Sequence, residues 1–148
     1  MSSSEQLYTE ISSKLEQFHA QLHRRRLANW VWVIVGMVLA KSVQLSAIAN
    51  LIPDTTEATA RIAKVRRWLK NPHIDTQTLY QPIIQHVLEQ WTNREVTIML
   101  DGCFVYGDRL QMLRLSLSHC YRALPLAWKV VTTKGLVSLD VCEAMLEH

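Results

Sequence analysis

Paired cysteines are missing from this chain. Cys103, Cys120 and Cys142 are odd in number, widely spaced and without a CxxC pair, which argues against a disulfide framework and a zinc–thiolate site. The marks of a secretory leader are also missing from the start MSSSEQLYTEISSKLEQ, which is polar and acidic with neither a basic region nor an apolar core, so the expected location is the cytoplasm. No apolar run reaches membrane-spanning length. Residues 27–40, LANWVWVIVGMVLA, follow Arg24, Arg25 and Arg26 and carry the positive flank of a span. Lys41 closes that run after 14 residues, short of the roughly 20 that a spanning helix needs. It reads as a core helix. His19 and His23 have the i, i+4 spacing of a helical metal pair but no third ligand, and read as surface polar residues.

What is present is a globular balance, 49% apolar and 20% charged over 148 residues, enough for one ordinary domain or two small ones. The net charge of +3 is unevenly spread. Residues 1–75 hold ten Lys/Arg against six Asp/Glu, and residues 76–148 hold six against seven. The basic, partner-seeking surface therefore belongs to the N-terminal half.

Leu7, Ile11, Leu15, Phe18 and Leu22 recur at helical spacing, so a first amphipathic helix is expected over residues 4–25. The apolar run is the second helix and residues 44–51 a short third, broken by Pro53-Asp54. A fourth helix, capped by Thr55 or Thr56 with Glu57 near its positive end, is expected to run to Lys70, where Asn71-Pro72 stops it. Asp75 starts a fifth through Trp91, with Pro82 a kink or restart. Trp30, Trp32, Trp68, Trp91 and Trp128 read as core anchors. The period changes toward two at Thr92-Asn93, the expected domain boundary. Three strands follow, near 96–105, 111–121 and 124–131, with turns at Gly107-Asp108 and after the second strand. The third is expected to place Leu124, Leu126, Trp128 and Val130 on one side, and Gly135 closes it. A helix begins at Ser138 or Asp140.

Two constellations carry chemistry. Residues 45–70 have the outline of a helix-turn-helix, with Ile62, Val65 and Leu69 spaced to face a core. Arg61, Lys64, Arg66, Arg67 and Lys70 supply five positive charges, with no acid among residues 58–70. Such cations neutralise phosphates, and arginines also fork onto guanine edges. The second constellation is Asp101, at the end of the apolar run Val96-Thr97-Ile98-Met99-Leu100. The run reads as a strand covered on both faces, in which an ionised Asp needs a partner or a metal. Asp108 reads as a turn residue, and Asp140, Glu143 and Glu147 as solvated charge on the last helix.

Leu100-Asp101, Gly107-Asp108, RLSL at 114–117 and RALPLAWKV at 122–130 together resemble the first half of the catalytic domain of insertion-sequence transposases in the DDE superfamily, which has a ribonuclease H-like fold. The resemblance is close over 94–148 and looser over 40–91. It departs at Cys120 and Tyr121, where a glycine-containing turn is more usual. It implies an α+β chain: an all-helical DNA-binding region over 1–91, then the first three antiparallel strands and the start of the first helix of a ribonuclease H-like domain over 94–148.

It also implies that a helical region ending in RxxxxRRxLxN, here Arg61, Arg66, Arg67, Leu69 and Asn71, holds double-stranded DNA at transposon ends. Asp101 would be the first of three acidic ligands to paired Mg²⁺ or Mn²⁺ ions, which clamp the attacking and leaving oxygens of a phosphodiester. In that family the second Asp follows a fourth strand and a Glu comes from a later helix. With one ligand of three, this polypeptide is expected to be a truncated, catalytically inactive copy, associated with a prokaryotic nucleoid and able to pair with itself or an intact transposase. The alternative is a stand-alone DNA-binding or interaction module that inhibits an intact copy.

Overall fold

The computed structural model describes residues 2–91, 95–105, 107, 109–132 and 136–146. Among them are six helices and one three-stranded antiparallel sheet, an α+β chain. It divides into two compact units, Met1–Ile83 and Ile84–His148. The division falls inside a helix, one residue past Pro82, while Thr92 and Asn93 lie outside the described residues.

In the first unit, α1 (Ser3–Phe18) opens on a reciprocal cap: Ser2 Oγ accepts the Glu5 N–H and the Glu5 carboxylate accepts the Ser2 N–H. α2 (Arg24–Ala40) folds back on it. Leu15, Leu27, Val31 and Val35 bury together, with Leu7, Ile11 and Leu22 packed around them. The expected single helix over 4–25 is thus two elements. His19 ends α1, and His23 Nδ1 accepts the Arg25 N–H at 3.2 Å to cap α2. The i, i+4 histidine pair therefore does not lie on one helix. His19 instead sets its ring edge-on to Trp30, with centroids 5.2 Å apart.

α3 (Leu45–Asn50) and α4 (Ala58–Leu69) complete a helical trio with α2 around Val33, Ile48, Ala49, Ile52 and Val65. Gly36 makes this possible: a Cβ there would lie 2.7 Å from Ile48 Cγ2 and 3.1 Å from its carbonyl oxygen. Glu57, with no side-chain cap, precedes α4 in place of Thr55 or Thr56. α5 (Thr76–Glu89) carries Pro82 inside it. Asp75 caps its start, accepting the N–H groups of Gln77 and Thr78 at 3.3 and 3.0 Å.

In the second unit, β1 (Ile98–Phe104), β2 (Gln111–His119) and β3 (Arg122–Val131) form a meander with β2 central. Cys120 and Tyr121 make the β2–β3 turn at φ +47° and +61°, the left-handed backbone a two-residue primed turn requires. α6 (Leu139–Leu146) covers Leu113 and Leu115 with Met145, Val141 and Cys142. A bulge interrupts the second pairing, because Leu115 faces Ala127 while Ser116 faces Pro125. Leu126 is the extra residue. It reverses the alternation of β3, so Leu124 shares a face with Leu117 while Trp128 and Val130 share the opposite face with Arg114 and Met112. The expected single row Leu124, Leu126, Trp128, Val130 is corrected accordingly. Gly135 lies outside the described residues.

Candidate nucleic-acid interface and the Asp101 strand

α4 turns Val65, Ile62 and Trp68 into the core of the helical trio and leaves Lys64, Arg66, Arg67 and Lys70 exposed. Leu69, expected to face the core, is 53% exposed. The basic residues are not equivalent. Arg61 is half-buried and already committed: its Nε donates to the Ala49 carbonyl at 3.2 Å, and its Nη1 donates to the carbonyls of Asp54 and Thr56. It ties the end of α3 to the break before α4, so its guanidinium already has partners within the fold. The sequence carried a signal for this. Arg61 stands four residues before the buried Val65, on the inward side of the helix.

Lys64 is half-committed. Its Nζ lies 3.3 Å from Asp54 Oδ2. Asp54 Oδ1 also accepts the Thr56 N–H at 3.0 Å, and the Thr56 bonds, then Lys64, hold this carboxyl below its ordinary range. Ten residues separate this pair, across a turn that no helical spacing rule reaches. Arg66, Arg67 and Lys70 are exposed, and no carboxylate among the described residues lies within ion-pair distance of them. They are the available cations of α4.

Asp101 sits at the centre of β1, four residues into seven. Every residue of that strand is exposed, which corrects the expectation of a strand covered on both faces. The cause is its place in the sheet: β1 is an edge, and the α6 core draws its strand residues from β2 and β3. The Asp101 side chain is 71% exposed, accepts the Gly102 N–H at 2.8 Å and faces Arg114 across the pair, with Oδ2 and Nη2 4.0 Å apart. That separation is too long for a hydrogen bond, and an exposed pair of this kind is worth little.

Arg114 in turn pairs with Trp128, so Asp101, Arg114 and Trp128 form one row across the sheet. No three His, Cys, Asp or Glu side chains come together among the described residues. Asp140 and Glu143 are exposed on α6, while Asp108 and Glu147 lie outside the described residues. A lone exposed carboxylate facing a guanidinium does not fit paired Mg²⁺ or Mn²⁺ ions, which need several converging oxygen ligands. No described helix is long and apolar enough to cross a membrane. The chain matches no protein-family model, no curated protein and no solved structure.

Proposed function

We propose that this chain binds double-stranded DNA through the exposed cations of α4, as the DNA-binding portion of a transposase-type protein acting on transposon ends at a prokaryotic nucleoid. The observation that carries the reading is the outward face of α4. Arg66, Arg67 and Lys70 stand exposed, without a carboxylate partner among the described residues, on a helix whose inward face is fixed by Val65 and Trp68 and whose approach turn is clamped by Arg61. A helix presenting exposed cations suits phosphate neutralisation. The first turn of α4 offers Ala58, Thr59 and Ala60. Those side chains permit close approach to a groove and supply a hydroxyl and methyl groups, so base readout is weaker than phosphate contact.

For residues 94–148 we propose the opening of a ribonuclease H-like domain. The supports are the RLSL and RALPLAWKV motifs on β2 and β3, the β1-β2-β3 meander followed by α6, and Asp101 on the first strand. Asp101 serves such chemistry only where other carboxylates are brought to it.

The test is fluorescence anisotropy on a labelled duplex of about 30 base pairs, titrated between about 50 and 200 mM salt. Arg66→Ala/Arg67→Ala is expected to weaken binding and flatten the salt slope by roughly 0.9 for each phosphate no longer neutralised. Arg61 is left intact because its removal would undo the turn. Parent-like binding by the double variant overturns the assignment to α4.

A further inference from the structure

Arg24, Arg25 and Arg26 occupy the first turn of α2, the positive end of the helix dipole, where cations are unfavourable. All three are exposed, and no carboxylate among the described residues lies within ion-pair distance of them. Their place relative to α4 follows from the packing: Val33 of α2 meets Val65 of α4, and one turn further along α4, Trp68 lines a cavity of about 230 Å³ together with Trp30 and Arg26 of α2. Moving toward the C-terminus of α4 is therefore moving toward the N-terminus of α2. The two helices run antiparallel, and the arginine triplet stands at the same end of the unit as Arg66, Arg67 and Lys70.

We propose that Arg24, Arg25 and Arg26 form a second phosphate-binding element, acting with Arg66, Arg67 and Lys70 as one cationic end of the helical unit that grips the DNA backbone. The inference rests on the DNA-binding reading above and adds a second element to it. His73 lines the same cavity. Asp75, the acid nearest in the lining, spends its carboxylate on the N–H groups of Gln77 and Thr78. Five of the six cations are arginines, whose planar forks match phosphate oxygens. A lipid surface is the poorer partner, because the apolar residues that follow the triplet, Leu27, Val31, Val33 and Val35, are buried and only Leu69 is a large exposed apolar group beside these cations.

The experiment uses the full chain and the same duplex titration. Arg24→Ala/Arg25→Ala/Arg26→Ala is compared with Arg66→Ala/Arg67→Ala and with a charge-matched control, Arg109→Ala/Arg122→Ala/Lys129→Ala. The α2 triple is expected to lose about 10-fold or more in affinity and to flatten the salt slope by roughly 2 to 3, with the control near the parent. Its melting temperature should equal or exceed the parent's, since like charges leave the positive end of a helix. Loss of DNA affinity without loss of stability is the signature of a binding role.

An unchanged α2 triple beside a weakened α4 pair overturns this inference and leaves the α4 reading standing. A weakened triple beside an unchanged α4 pair supports the arginine end and overturns the α4 assignment. No duplex binding by the parent overturns both. A control as weak as the triple, or a triple that loses binding to phosphatidylserine-containing vesicles and keeps its DNA affinity, overturns the DNA assignment of this element.

Discussion

The two units treat apolar surface differently. In Met1–Ile83 the large apolar side chains left exposed are Val38, Leu39, Val43 and Leu69, whereas in Ile84–His148 six lie within residues 96–105 alone: Val96, Ile98, Met99, Leu100, Phe104 and Val105. Composition does not explain the contrast, because α2 is as apolar as β1. Partner elements do. α2 has α1 along one side and α3 and α4 along another, while β1 has β2 on one edge and no described strand on the other. A helix satisfies its own backbone and needs only side-chain cover, but an edge strand leaves half its N–H and C=O groups without a protein partner as well.

The largest expected effect lies in hydrogen exchange. Amides of residues 31–35 in α2 should exchange only through the widest opening of their unit, while the outward-facing amides of β1 should exchange faster on the order of 10³-fold. Equal protection across 98–104 in a dilute monomer would break the comparison, and protection rising with concentration would show the edge pairing with another copy. Asp101 sharpens the point. It is the one charged residue in Ile98–Phe104, and a charge on an edge discourages strand-to-strand association. Asp101→Val should leave the helical unit's melting unchanged and raise light scattering at a given protein concentration.

Backbone requirements give a pair of smaller effects with opposite signs. Gly36→Ala drives a methyl into Ile48, including its backbone, and should destabilise the helical unit by about 1–3 kcal/mol, the range for overpacking. In the sheet unit, Cys120 and Tyr121 occupy left-handed backbone without being glycine, and Tyr121 is fully exposed. Tyr121→Gly should therefore stabilise by about 0.5–1 kcal/mol, since strain is relieved and no packing is given up. Thermal or denaturant melts of the two variants test this. Two shifts of the same sign would mean that the turn's conformation is held by something other than the chain's local preferences.

How much of this was legible follows from what each signal depends on. Helix starts and stops set by local chemistry were readable to within a few residues: Asp75 before α5, Asn71-Pro72 after α4 and Pro53-Asp54 between α3 and α4. The α1–α2 break was not, because Leu22 keeps the helical period while lying in a turn, and only packing against α2 reveals the reversal. The bulge at Leu126 had a trace in Pro125, which lacks an N–H and is confined to edges or bulges, but strict alternation masked it. Exposure of β1 depends on which strand neighbours which, and a run of apolar residues does not carry that information. On α4 the exposed arginines were legible as residue types. Their inequality was not: Arg61 serves carbonyls and Lys64 serves Asp54, across a turn in each case.

The smallest expected effect is an acid sensitivity of the helical unit. Asp54 and Asp75 are both held below the ordinary value of 3.8, the first chiefly by hydrogen bonds from Thr56 and the second by those from Thr78. A depressed folded-state value means that the unfolded chain takes up the proton first as pH falls. The stabilisation is then fully present above about pH 3.8 and lost as pH drops through the lower folded-state values. Asp75 is exposed and the Asp54 carboxylate, 19% exposed, stands at the surface beside an exposed lysine, so the effect is small and salt-sensitive. Asp75→Asn separates charge from cap, because Asn is an equally good N-cap but does not titrate. Melting followed at the helical signal from about pH 5 to about pH 2 should slope downward for the parent and less steeply for Asp75→Asn and Asp54→Asn. Identical slopes in all three proteins would mean that these carboxylates carry no differential protonation between the folded and unfolded chain, and that the acid response comes from other groups.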